Sequence, residues 1–80
     1  MKRAGRDRFV RNVLIAVGNS GNVSFVEQSE RLLADASPLV RAVAVWALQQ
    51  LLNKEAFAAL RKQHLPSELD GDVLAEWGAV

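Results

Sequence analysis

The residues of this chain best suited to chemistry are the basic side chains crowded into its first eleven positions. They are Lys2, Arg3, Arg6, Arg8 and Arg11. Asp7 is the one acid among them. A helix dipole disfavours cations in its first turns, so their concentration there predicts binding of an anion such as a phosphate. Two alternatives stay open: ion pairing with a preceding domain, and a solvated arm without a ligand.

The far end of the chain has the opposite charge. Residues 66–80 carry four acids and no base, namely Glu68, Asp70, Asp72 and Glu76. The net charge of +1 therefore conceals a strong polarity along the sequence. Because Asp70, Asp72 and Glu76 lack the spacing of a calcium-binding loop, we expect these three to form a solvated cap.

Composition excludes several classes of function. The chain has 80 residues, no cysteine and one histidine, so it cannot form disulfides, thiolate zinc sites or cysteine-ligated clusters. We find no nucleophile–base pair or carboxylate dyad, and therefore do not expect this chain to be an enzyme. No apolar run is long enough for a signal peptide or a membrane span, and we expect a cytoplasmic location.

Helix signals are frequent and strand signals are nearly absent. The expected caps are Asp7 for the first helix, with Gly18 at its end, then Ser24 with Glu27 for the second, and Ser37 for the third. Proline follows Ser37, at the first helical position. The five predicted helices are about Arg8–Val17, Ser24–Ala34, Pro38–Leu52, Lys54–His64 and Asp72–Ala79.

An internal repeat predicts how these helices are organised. Residues Val10–Val17 superpose on Val40–Ala47 with an offset of thirty, and both segments open with Val-Arg. A repeat of this length, alternating an amphipathic helix with a more apolar one, is typical of an α-solenoid. The segment Leu32–Leu48 resembles a HEAT-like repeat. The expected fold is all-α: a short HEAT-like α-solenoid of about two antiparallel helix pairs.

The first helix has no outer partner in this repeat scheme. We therefore expect residues 1–7 to be a basic N-terminal arm or an artificial start, residues 8–65 the HEAT-like domain, and residues 66–80 an acidic capping segment with a short helix. The chain would then be the C-terminal part of a longer protein. The alternative is a self-sufficient small protein that forms a weak dimer through the exposed first helix.

The run Gly5–Gly21, with its Arg-Asn and Gly-Asn-Ser-Gly elements, resembles the C-terminal region of epoxyqueuosine reductase. The likeness covers roughly residues 5–52. It implies a HEAT-like domain of an enzyme that performs the last reduction of queuosine synthesis on transfer RNA. The family's cobalamin-binding catalytic domain and its ferredoxin-like domain, with two [4Fe–4S] clusters, would lie upstream. We expect no cofactor in this chain.

The resemblance implies that the chain helps bind the anticodon arm of tRNA beside those upstream domains. The expected RNA-binding residues are Lys2, Arg3, Arg6, Arg8, Arg11, Asn12 and Asn19. For Arg41 we expect a structural ion pair with Asp35, and for Trp46 a packing role. The rival hypothesis is a protein-interaction scaffold that docks through the exposed first helix.

Overall fold

The computed structural model describes residues 3–78, and the side chains of residues 5–78. Its five α-helices are α1 (Arg3–Ser20), α2 (Val26–Arg31), α3 (Pro38–Leu51), α4 (Lys54–His64) and α5 (Gly71–Trp77). Single 3₁₀ turns lie at Val23–Phe25, Leu32–Ala34 and Leu65–Ser67. The described part is 85% helix and contains no strand, which confirms the all-α prediction.

Both ends of α1 differ from the prediction. The helix begins at Arg3 rather than near residue 8, so Asp7 lies inside it and is not its cap. The Asp7 carboxylate instead accepts a hydrogen bond from the Arg6 guanidinium at 3.1 Å. Gly18 is likewise inside the helix and buried. Gly21, with a φ of 64°, is the residue that ends the helix, because glycine adopts this left-handed conformation without strain.

The segment after α1 is capped by Asn22 and not by the predicted Ser24–Glu27 box. The Asn22 side-chain oxygen accepts the Ser24 N–H at 3.0 Å, so Ser24 already lies inside the turn that follows. Glu27 instead pairs with Arg31 on the surface of α2 at 2.9 Å. The predicted single helix is three short pieces that end at Ala34.

The last three helices begin where a side-chain oxygen accepts a backbone N–H of the first turn. Ser37 caps α3 as predicted, and Asn53 caps α4. Asp70 caps α5 by accepting the N–H groups of residues 72 and 73. This helix therefore begins at Gly71, one residue before the predicted Asp72.

The C-terminal ends of these helices lie close to their predicted positions. The structure confirms the predicted bounds of α4, and α3 ends at Leu51, one residue early. Trp77 ends α5, and Gly78 follows with a φ of 82°. The predicted end at Ala79 lies outside the described residues.

Helix α3 forms the centre of the hydrophobic core. Its buried residues are Val40, Ala44, Val45, Ala47, Leu48 and Leu51. To the same core α1 adds Leu14, and α5 adds Val73 and Trp77. The third helix is therefore covered on several sides, whereas α1 and α5 each keep an exposed face.

The helices α1, α3 and α5 lie side by side. Near the start of α1, Arg6 bonds to Asp35 just ahead of α3, while Gly18 near its end touches Trp46 in the second half of α3. These contacts show that α1 and α3 run in the same direction. Arg41, near the start of α3, forms an ion pair with Glu68, which lies just ahead of α5. Helix α5 therefore continues the row beside α3.

Candidate nucleic-acid interface

Four of the residues predicted to contact RNA lie together on α1, and we call them the α1 stripe: Arg8, Arg11, Asn12 and Asn19. Arg8, Asn12 and Asn19 are exposed, and their spacing of four and seven residues places them on one side of the helix. Arg11 lies beside them, one turn from Arg8, and is half-buried. The stripe presents guanidinium and amide groups, which donate hydrogen bonds to phosphate and hydroxyl oxygens.

The guanidinium of Arg11 is only partly satisfied. Its Nη2 donates to the Asn12 side-chain oxygen at 3.3 Å, a long contact between neighbours on the stripe. Its Nε is buried and has no hydrogen-bond partner among the described residues. A buried donor in this state costs free energy, and only the outer nitrogens of the guanidinium can contact a ligand from solvent.

Arg6, in contrast, is engaged on the other side of α1. Its guanidinium donates to both carboxylate oxygens of Asp35, at 2.6 and 3.0 Å, as well as to Asp7. The hydrogen bonds with Asp35 and then with Asp7 raise the pKa of Arg6. The structure thus separates Arg6 from the stripe. Lys2 lies outside the described residues, and Arg3 begins α1 without a described side chain.

The acid that pairs with Arg41 is Glu68 rather than the expected Asp35. Arg41 donates from Nε and Nη2 to the two Glu68 oxygens at 2.9 and 3.1 Å, and the pair is largely buried. The contact between Arg41 and residue 35 goes to the backbone oxygen of Asp35, at 2.9 Å. Burial raises the pKa of Glu68, but hydrogen bonds from Arg41 and from the Asp70 N–H outweigh it and leave that pKa below its ordinary value.

The two ion pairs have the same design. Asp35 lies two residues before the N-cap Ser37 and accepts its N–H at 2.9 Å, and Glu68 accepts the N–H of the N-cap Asp70 at 3.0 Å. Each acid also holds an arginine of the preceding helix in the row. This arrangement was not predicted, although it has a signal in the sequence: an acid two positions before an N-cap residue.

A groove of about 340 Å³ opens along the row of helices, and we call it the central groove. Its lining residues are Ile15 and Asn19 of α1, Ala42, Val43 and Trp46 of α3, and Glu76 of α5. Trp46 packs against Gly18 as expected for a packing residue, yet its ring also lines this groove. Glu76, predicted to belong to a solvated cap, lines the same groove as Trp46.

Trp77, the other tryptophan, is in the core and does not reach this surface. It is 3% exposed and lies between Phe57, with ring centroids 5.3 Å apart, and His64, stacked at 6.1 Å. His64 therefore covers Trp77 at the end of α4. This placement leaves Trp46 as the indole available to a ligand among the described residues.

A second apolar surface lies on the outer side of α1. Phe9 is 63% exposed and Val13 is 45% exposed, although both are large apolar side chains. Between α1 and α2, Val13, Val17 and Phe25 line a cleft of about 210 Å³. An exposed apolar patch of this kind is typical of a docking surface.

The sequence has no cysteine, and among residues 3–78 no group of three acids or histidines is placed so that it could hold a metal ion. No described helix has the length and apolarity needed to cross a membrane.

Comparisons of the chain with known protein families, with curated proteins and with solved structures gave no match.

Proposed function

We propose that this chain is a non-catalytic module of an epoxyqueuosine reductase-like enzyme that helps to bind the anticodon arm of tRNA. The observation that carries the proposal is the α1 stripe, where Arg8, Arg11, Asn12 and Asn19 share one outward surface. The sequence resemblance over residues 5–52 adds the substrate class. On this proposal the upstream catalytic and ferredoxin-like domains perform the reduction.

We further propose that the fold is a short HEAT-like solenoid of about two antiparallel helix pairs. Helices α1 and α3 run in the same direction, and α2 connects them in the sequence, which supports this architecture. The repeated ion pairs Arg6–Asp35 and Arg41–Glu68 support it as well, because each ties one helix of the row to the start of the next. In α5 the position equivalent to Arg41 is Leu74, which cannot form an ion pair, so the series of repeated ion pairs ends at α5.

The α1 stripe would hold the RNA backbone rather than identify bases. Arg8 and Arg11 lie one turn apart and can bind a phosphate each, while the amides of Asn12 and Asn19 suit ribose hydroxyl groups. Neutralising each phosphate releases counterions, so the affinity should fall as salt rises, with a log–log slope of about −0.7 per contact on single-stranded RNA.

Titration of the purified chain with an anticodon stem-loop over a range of salt concentrations tests the proposal. We expect salt-dependent binding that is strongly weakened in Arg8→Ala/Arg11→Ala. The matched control is Arg31→Ala/Lys62→Ala, which removes the same charge from exposed positions of α2 and α4. No binding at low salt, or equal loss in both double variants, would contradict a specific role for the stripe.

A second candidate function is a protein-interaction scaffold. The exposure of Phe9 and Val13 favours it, because an isolated module gains nothing from large apolar side chains in water. The partner would be an apolar surface of the upstream domains. This candidate predicts association that is insensitive to salt, is lost in Phe9→Asp and survives Arg8→Ala/Arg11→Ala.

A further inference from the structure

The outer side of α1 carries a regular row of uncharged side chains. We call it the α1 seam: Phe9, Val13, Ala16 and Ser20. All four residues are exposed. Their spacing of four, three and four residues is the spacing by which one helix packs along another. The seam lies about a quarter of a turn around the helix from the α1 stripe, so the two surfaces are separate.

The seam is complementary in size to its own reverse. Phe9 and Ser20 lie equally far from its midpoint, and so do Val13 and Ala16. When two copies of α1 pack antiparallel about that midpoint, each Phe9 faces a Ser20 and each Val13 faces an Ala16. A two-fold axis makes each of these contacts twice, as in an isologous dimer. Parallel copies would instead place the two Phe9 rings against each other and leave a gap between the small residues.

The small end of the seam can be covered by an apolar ring without loss of hydrogen bonds. The Ser20 hydroxyl donates to the Val17 carbonyl oxygen at 2.6 Å and accepts the Asn22 N–H at 3.1 Å. It therefore needs no water when a second copy covers it. Val17 and Phe25 line the neighbouring cleft of about 210 Å³ between α1 and α2, which offers further apolar surface to that ring.

The charge distribution of α1 also favours the antiparallel arrangement. The five charged residues of the helix, four of them arginines, all lie in its first half, and residues 12–20 carry no charge. Parallel copies would place these arginines side by side. Antiparallel copies place each basic half beside the C-terminal end of the other helix, where the free carbonyl groups favour a cation.

We infer that a second copy of this chain docks on the α1 seam, with the two α1 helices antiparallel and Phe9 of each copy packed against Ser20 of the other. The inference goes beyond the proposed function, because the dimer uses a side of α1 that the RNA-binding proposal leaves free.

Sedimentation velocity of the purified chain over a range of concentrations tests the inference. We expect a monomer–dimer equilibrium with a dissociation constant between about 1 μM and about 1 mM, as suits a small interface. Ala16→Glu puts a charge into the seam and should weaken dimerisation by about tenfold or more. The matched control Ala58→Glu makes the same change at an exposed position of α4 and should leave the dissociation constant unchanged.

Disulfide trapping tests the antiparallel arrangement, and the absence of native cysteine removes any background. Phe9→Cys and Ser20→Cys are mixed and oxidised. The mixture should give a linked heterodimer, because positions 9 and 20 of the two copies face each other, and this heterodimer keeps the second Phe9–Ser20 contact. Each variant alone should give little linked dimer, because its two cysteines would be about 16 Å apart along the helices, beyond the reach of a disulfide.

Three results would each overturn the inference: a monomer up to about 1 mM, equal dimerisation of Ala16→Glu and Ala58→Glu, or linkage of each cysteine variant to itself as readily as in the mixture. The proposed function is tested separately. If the dimer forms as expected but the anticodon stem-loop does not bind at low salt, the proposed function fails and the dimer stands.

Discussion

Gly18 and Trp46 are in direct contact where α1 packs against α3. A Cβ atom built on Gly18 would stand 2.5 Å from the Cζ3 atom of the Trp46 ring, which is closer than real side-chain contacts allow. Gly18 therefore sets how near the two helices approach, and with it the position of the indole in the central groove. The glycine is inside a helix for packing and not for backbone conformation.

Replacing Gly18 with alanine should destabilise the fold. Alanine gains about 1 kcal/mol of helix propensity, but the clash with the Trp46 ring costs about 1–3 kcal/mol in a packed core. We expect a net loss of about 1 kcal/mol in the free energy of unfolding, measured by urea denaturation. The ring should also shift, which is visible in its tryptophan fluorescence.

The matched control for this substitution is Gly71→Ala. A Cβ on Gly71 meets nothing within 4 Å, and the residue opens α5 in an ordinary helical conformation. The free energy of unfolding of the Gly71→Ala variant should stay the same or rise by up to about 1 kcal/mol. Equal behaviour of the two alanine variants would contradict the packing role of Gly18.

Helix starts that depend on neighbouring residues were predictable from the sequence. Ser37 followed by proline specifies the start of α3, and Pro66, two residues beyond His64, marks the end of α4. Asp7 and Gly18 failed as boundaries, because their roles depend on partners elsewhere in the chain or on packing. A glycine inside a helix and a glycine that ends one look alike until the facing side chain is known.

The N-cap of α5 offers a test of local stability. Asp70→Ala removes the carboxylate that accepts two N–H groups of the first turn, and should cost about 1 kcal/mol of stability. Asp72→Ala removes a carboxylate from the same turn without a capping bond, so its cost should be about half a kcal/mol or less. Chemical denaturation of both variants compares them directly. A larger loss from Asp72→Ala would show that charge, and not capping, matters here.

The ion-pair partners were the least predictable part of the site. Arg41 and Glu68 are separated by 27 positions, so nothing in their local sequence joins them. The repeat in the sequence aligns Arg11 with Arg41. In the structure it is Arg6, and not Arg11, that forms the ion pair equivalent to Arg41–Glu68. The α1 stripe, in contrast, could be foreseen in part, because its members share one helix and their spacing fixes their side.

The Arg41–Glu68 pair should make stability depend on pH in the acid range. The pKa of Glu68 is lower in the folded chain than the ordinary value of 4.5, so its contribution is present above that pH. It is lost as the pH falls through the folded pKa and the carboxylate takes up a proton. Glu68→Gln should be less stable at neutral pH and should lose less on acidification, as measured by denaturation at a series of pH values.

The control for this series is Glu27→Gln, whose exposed pair with Arg31 contributes little. Its acid dependence should follow that of the wild-type chain. Arg41→Ala should cost about 2 kcal/mol at neutral pH, because it leaves the Glu68 carboxylate largely buried without its partner. If wild type and Glu68→Gln lost the same amount of unfolding free energy as the pH falls, this account would be contradicted.

Arg6 and Arg8 should separate folding from RNA binding. Arg6→Ala breaks the ion pair with Asp35 and should lower the denaturation midpoint, while affinity for the anticodon stem-loop at low salt changes little. Arg8→Ala should leave the midpoint unchanged, weaken binding and reduce the salt slope by about 1, as expected when one phosphate contact is lost. Both variants remove one arginine from the same helix, so overall charge cannot explain a difference between them. If Arg6→Ala weakened binding as much as Arg8→Ala while remaining folded, the anion-binding surface would have to extend across both sides of α1.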